Sequence, residues 1–179
     1  PWPRWLFRLE DGTIVSQELF VVRDRPLTAL RWRMEQPGPG SSGPRRLVVR
    51  PFLSGRDIHA LHFENAAFRF TAQVRGPRVT FTPYEGVPSV CVLHNGRFTP
   101  RAEWYRRFFY EEEQARGFDA HEDLAAPAEF EFGLDSGEAI LLLAAGSEPL
   151  EEAPSARTLF ERLRAAESAR RALFPTPLH

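Results

Sequence analysis

Apolar and polar positions in the first half of the chain alternate with a two-residue period, which is that of a β-strand. Thr13 to Val22 is rich in β-branched and aromatic residues, and Asp11-Gly12 before it supplies a hairpin turn. Leu27 to Met34 alternates cleanly, placing Leu27, Ala29 and Arg31 on one face and Leu30, Trp32 and Met34 on the other. Residues 37–44, dense in Pro, Gly and Ser, cannot hold a sheet ladder and predict an exposed, mobile loop. Arg46 to Phe52, Ala67 to Ala72, Arg78 to Thr82 and Ser89 to Leu93 read as further strands. Asn95-Gly96 predicts a hairpin, because both residues tolerate positive φ. A second hairpin is expected between Glu129–Leu134 and Glu138–Ala144, turned at Asp135-Ser136-Gly137.

Helical spacing occurs twice. Ala102 to Arg116 carries Trp104, Tyr105, Phe108 and Phe109 three and four positions apart, with Gly117 as its stop. Ser155 then precedes Leu159, Phe160, Leu163 and Ala166 as an N-cap, and the pattern runs to Leu173 before Pro175 and Pro177. Many short strands followed by one terminal helix predict a mainly β fold, an antiparallel β-sandwich with a short helix and a C-terminal helix. The expected division is a sandwich over 1–153 and a linker helix over 154–174.

Composition narrows the function classes. The 179 residues suit one domain, and the hydrophobic fraction of 42% is ordinary. A net charge of −1 provides no global attraction to nucleic acid or to an anionic membrane, and the arginines are dispersed among acids. All basic side chains are arginine. Cys91 is the only cysteine, so no internal disulfide forms, and a reducing, cytoplasmic setting is expected. No apolar run approaches the roughly 18 residues of a membrane span. The chain begins at Pro1 and its one methionine is Met34, so it reads as a piece of a longer protein.

The stretch Ser54 to Asn65, SGRDIHALHFEN, is too polar for a core strand and too apolar for a plain loop. His59 and His62 are three apart, which places them on opposite faces of a strand, and no metal is expected. A glycosidase needs two carboxyl groups about 5 Å apart, or roughly 6.5–9.5 Å apart for inversion. Asp57, Glu64, Asp119, Glu122 and Asp123 are the acids able to supply them. Arg56 beside Asp57, and Arg116 near Asp119, read instead as internal ion pairs. Asp119 to Asp123 reads as an Asx-rich turn. Trp104 and Tyr105 suit stacking on a sugar ring, although aromatic residues at this spacing are more often core. No glycine-rich phosphate loop or nucleophile elbow is present, and no cofactor is expected.

The segments RPFLSGRDIHALHFEN, YEGVPSV, WYRRFFYEEEQARGFDAHEDLAAPAEFEF and ARRALF, read together, resemble the N-terminal domain of bacterial and archaeal glycogen debranching enzymes, the amylo-α-1,6-glucosidase group. The parts that carry it are Arg50-Pro51, Arg56-Asp57-x-His59, Glu113-x-x-Arg116-Gly117 and Glu122-Asp123, over about Trp5 to Leu173. The resemblance implies a glucoamylase-type N-terminal sandwich that packs on a following α/α barrel holding the catalytic acids. It therefore implies no catalytic residue in this chain, its own C-terminal catalytic domain as partner, and glycogen or another α-glucan as substrate of the whole enzyme. Arg56, Asp57, His59, Glu64, Glu113, Asp119, Glu122 and Asp123 are then expected to form a structural polar network. Trp104, Tyr105 and Arg116 are the residues expected to touch glucan. A free-standing carbohydrate-binding sandwich, and a glycosidase using Asp57 or Glu64 with Asp123, remain open.

Overall fold

The computed structural model describes residues 2–39, 43–57, 59–135, 137–146, 150 and 155–173. In chain order the elements are β1 (Arg4–Arg8), β2 (Ile14–Val21), β3 (Leu27–Gln36), β4 (Arg46–Val49), β5 (Ala72–Arg75) and β6 (Arg78–Phe81). There follow β7 (Val90–His94), β8 (Arg97–Phe109), α1 (Glu111–Ala115), β9 (His121–Gly133), β10 (Ala139–Ala145) and α2 (Ala156–Ala172). They build two antiparallel sheets: seven strands in the order β1-β2-β3-β10-β7-β6-β5, and three in the order β4-β9-β8. The mainly β sandwich with one short and one longer helix is the fold that the alternation predicts.

The centre of the large sheet is covered on both faces, while its edge strand β1 is exposed. One face meets the small sheet through Trp32, Val79, Phe81, Val92 and Leu141, which pack on Phe130 and Phe132 of β9. The other meets α2, where Phe20, Leu27, Ala29, Leu93, Ile140 and Leu142 enclose Leu159, Phe160 and Leu163. Strand alternation therefore feeds two cores at once, and β3 divides as its sequence predicts. β10, AILLLAA, is buried on both faces and so reads as a continuous apolar run. Phe160 is fully buried, 5.4 Å from Phe20 between ring centroids. Burying such a side chain contributes about 1.5–3 kcal/mol.

The Ser155 hydroxyl accepts the Thr158 amide at 3.1 Å and caps α2 as expected. Ala166, however, is exposed, and Glu167 is buried in its place. Pro154, Ser136 and the residues from 174 onward lie outside the described residues. Gly117, at φ +79°, ends α1 in the left-handed region that glycine favours.

Four other expectations are corrected. Of the helix expected over 102–116, only Glu111–Ala115 is helical, and Trp104, Tyr105, Phe108 and Phe109 lie on β8. The cause is a bulge between Tyr105 and Phe108, centred on Arg107 at φ +59°. It turns Tyr105 and Phe108 toward the same Phe52 ring, at 4.9 and 5.3 Å, so a strand acquires a three-residue spacing. Second, Asn95-Gly96 and Asp135–Gly137 do not close hairpins: β7 and β10 belong to the large sheet, β8 and β9 to the small one. Both turns carry the chain between layers. A Cβ on Gly96 would sit 2.4 Å from the Glu131 carbonyl oxygen, so the crossing is too close for any side chain. Third, Ala67 to Thr71 form no ladder, and the strand starts at Ala72. Fourth, Asp123 lies inside β9 rather than in a turn. Within the loop expected over 37–44, Gly38 is buried, and its amide donates to Thr13 Oγ1 at 3.0 Å.

Candidate functional site

β9 is the spine of the small sheet, and its first residues organise the polar stretch singled out above. Residues 53–62 leave and rejoin its edge. Leu53 exchanges backbone hydrogen bonds with Ala125, at 2.9 and 3.3 Å, and the His62 carbonyl accepts the Asp123 amide at 2.7 Å. The excursion between these anchors carries Arg56, Asp57 and His59. Gly55, at φ +64°, permits its sharp departure, and a Cβ there would meet the Tyr84 ring at 2.8 Å.

Glu122 closes the excursion from below. Its side chain is 1% exposed. It accepts Arg56 Nε at 2.8 Å, Arg56 Nη2 at 3.1 Å and the His62 amide at 3.2 Å, together with the Tyr110 hydroxyl. Burial alone would raise the Glu122 pKa. The Arg56 fork, the Tyr110 hydroxyl and the His62 amide outweigh it, and the carboxyl titrates below its ordinary value. Burial, and then the bond to Glu122, raise the Tyr110 pKa.

Asp123 works on the opposite side. Its Oδ2 accepts the Glu64 amide at 3.0 Å and its Oδ1 accepts the Arg107 amide at 2.9 Å. These two backbone amides depress its pKa. The second of them holds Arg107 at its positive φ, so Asp123 fixes both the end of the excursion and the β8 bulge. His62 links the two acids: one ring nitrogen meets the Asp123 carbonyl at 2.8 Å and the other the Tyr84 hydroxyl at 2.6 Å.

Direct contacts join members of the expected network, Arg56 with Glu122 and the Glu64 amide with Asp123. Others are paired differently. The carboxylate that holds Arg56 is Glu122 and not Asp57, whose Oδ1 accepts the His59 amide at 2.9 Å. Glu64 pairs with Arg106 on β8. Arg116 lies 3.7 Å from Glu113, one helical turn away, rather than against Asp119.

Arg56, His59, Glu113 and Asp119 meet again on one surface. They line an open cleft of about 990 Å³ between the excursion and the α1 turn, with Tyr110, Phe63 and Phe118. Phe63 and Phe118 are 56% and 64% exposed, so the cleft combines bare aromatic rings with carboxylates and a guanidinium.

The residues expected to touch glucan fall into three separate groups, none of them lining this cleft. Trp104 packs among His62, Phe68 and Phe70, with ring centroids 5.2 to 5.8 Å away. Tyr105 packs on Phe52 and receives a hydrogen bond from Arg50, which also bonds Glu129 at 2.6 Å. Arg116 is exposed at the end of α1. Tyr110, Phe63 and Phe118 escaped the sequence reading. The signal that could have found Tyr110 is its hydroxyl beside a strand whose first acids were already suspect.

Among the described residues no group of three or more His, Cys, Asp or Glu side chains could hold a metal. No helix there is long and apolar enough to cross a membrane. The family described as "Glycogen debranching enzyme N terminal" has a model that matches residues 1–141. No curated protein matches the chain.

Proposed function

The chain belongs to the glycogen debranching enzyme N-terminal family, and from that premise we propose that it is a noncatalytic scaffold domain for a debranching glucosidase. In this reading it packs against a downstream α/α barrel in the cytoplasm and supports hydrolysis of α-1,6-glucosidic branch points there. α2 serves as the link to that barrel. The observation that carries the reading is how the paired acids are used. Glu122 is filled by Arg56, Tyr110 and the His62 amide, and both oxygens of Asp123 accept backbone amides. A general acid in a glycosidase needs a carboxyl with a raised pKa. These two are lowered.

The cleft beside this network is the surface that best suits the barrel or its glucan, because Phe63 and Phe118 are bare there. The test uses phosphorylase limit dextrin. The chain alone should release no glucose, and the chain and the remainder of its enzyme, expressed separately, should co-elute in gel filtration. Glucose release by the chain alone, abolished in Asp123→Asn, would establish the self-contained glycosidase instead. The same exposed rings favour a second reading, a carbohydrate-binding sandwich. It requires the chain alone to bind maltoheptaose, lost in Phe118→Ala, as read by affinity electrophoresis.

A further inference from the structure

A second cavity, of about 630 Å³, shares no lining residue with the cleft described above and lies between the large sheet and α2. Its walls follow from two periodicities. Ser16 and Glu18 alternate on β2, and Arg31, Arg33 and Glu35 alternate on β3, all on one face of the sheet. Arg164, Ser168 and Arg171 recur at four- and three-residue spacing on one face of α2. Arg4 of β1 completes the ring, so five arginines face two glutamates across the cavity.

Each of these guanidiniums already has a carboxylate, but the carboxylates are shared. Glu18 serves Arg31 and Arg164, Glu138 serves Arg31, Arg33 and Arg157, and Glu167 serves Arg170 and Arg171. Glu35 and Glu161 serve Arg4 and Arg31. The cavity lining itself carries five arginines to two glutamates, so its walls are net cationic. Burial is the largest single influence on Glu18 and acts to raise its pKa, but hydrogen bonds from Arg164, Trp2 and Arg31 bring it below its ordinary value, and the Arg170 fork with the Arg171 Nε bond brings Glu167 down to about 2. Arg4 and Arg33 are more than half exposed, so their heads can swing toward a ligand.

We propose that this cavity binds a small phosphorylated ligand, free phosphate or a phosphate monoester, between Arg33 of the sheet and Arg171 of α2. A guanidinium presents a planar fork that matches phosphate oxygens in two parallel bonds. The Ser16 and Ser168 hydroxyls stand in the same walls. The volume lies within the roughly 300–1,000 Å³ of small-molecule sites, so it accommodates a sugar-sized remainder as well as the phosphate.

Calorimetric titration of the full-length protein tests this with inorganic phosphate and glucose 6-phosphate as probes, ionic strength being balanced with chloride. Saturable binding of either probe is expected, and their relative affinities distinguish free phosphate from an ester. Arg33→Gln should weaken binding at least about tenfold, the loss of one charge-assisted contact. Ser168→Asp removes no arginine and adds a negative charge at the cavity wall, and it should weaken binding at least as much. Unchanged melting temperatures for both variants would show that the fold is intact. Absence of saturable heat, or binding that neither variant alters, would overturn the proposal.

Discussion

Replacing Glu122 by Gln removes the charge at the centre of the excursion while keeping its shape. The carboxylate accepts four hydrogen bonds, two of them from Arg56. In the variant one carboxyl oxygen becomes an amide group that meets donors instead of accepting from them. Hydrogen bonds to charged groups contribute about 1.5–3 kcal/mol each, and breaking a buried ion pair costs about 3–5 kcal/mol. Arg56 is 26% exposed and regains water, which places the expected loss at the lower side, about 2–4 kcal/mol. In urea, with a slope of about 2 kcal/mol/M, the midpoint should fall by about 1–2 M. Tryptophan fluorescence follows the transition, since Trp104 stacks on His62, whose amide bonds Glu122. Glu131→Gln is the control: the same chemical change at a carboxylate that faces Arg46 and Arg97 on the surface should cost under about 1 kcal/mol. The acid limb adds a second check. Because the folded pKa of Glu122 lies below its ordinary 4.5, its contribution is complete above that pH and fades as pH falls through the folded value. The gap between wild type and variant should therefore close in acid. Equal midpoints for Glu122→Gln and Glu131→Gln, or a gap that widens as pH falls below 4.5, would refute the network.

Phe160→Ala should destabilise the fold by about 3–5 kcal/mol in thermal or urea melts, because it empties the centre of the core between α2 and the large sheet. A loss below about 1 kcal/mol would mean that α2 does not seal that core. His94 is buried against Phe130, and neither of its ring nitrogens makes a hydrogen bond of good geometry. Burial lowers its pKa below 6.5, with the Gly96 backbone acting weakly the other way. The unfolded chain then binds the proton more readily, so stability should decline as pH drops below 6.5. Proton NMR of the imidazole signals should show His94 titrating below 6.5, and a His94→Phe variant should lose this part of the pH dependence.

Much of the sandwich was legible because alternation reports burial directly. β3 sorted Leu27 and Ala29 from Trp32 and Met34 by spacing alone, and the structure divides them between two cores. The errors came where one local signal fits two structures. In β8 the bulge at Arg107 resets the pleat, so Tyr105 and Phe108 share a face as they would on a helix. Asn95-Gly96 marks a turn, but nothing in those two residues says to which sheet the chain proceeds. The candidate site was legible in its charged members, but not in its aromatic ones or in its pairings. Arg56 and Glu122 are 66 positions apart, and Asp57 was merely the nearer acid. Only the return of the chain along β9 brings the true partner underneath.

The join of β3 to β10 has a consequence for biosynthesis. Leu30 pairs with Leu141, about 110 residues downstream, and only then does the middle of the large sheet exist. At about 5–20 residues per second a ribosome needs roughly 5–20 s to supply that strand. Throughout this interval the apolar flank of β3 has no neighbour on that side. The nascent polypeptide is thus a natural client for a holdase chaperone, and ribosome pausing before residue 145 should raise the proportion that precipitates.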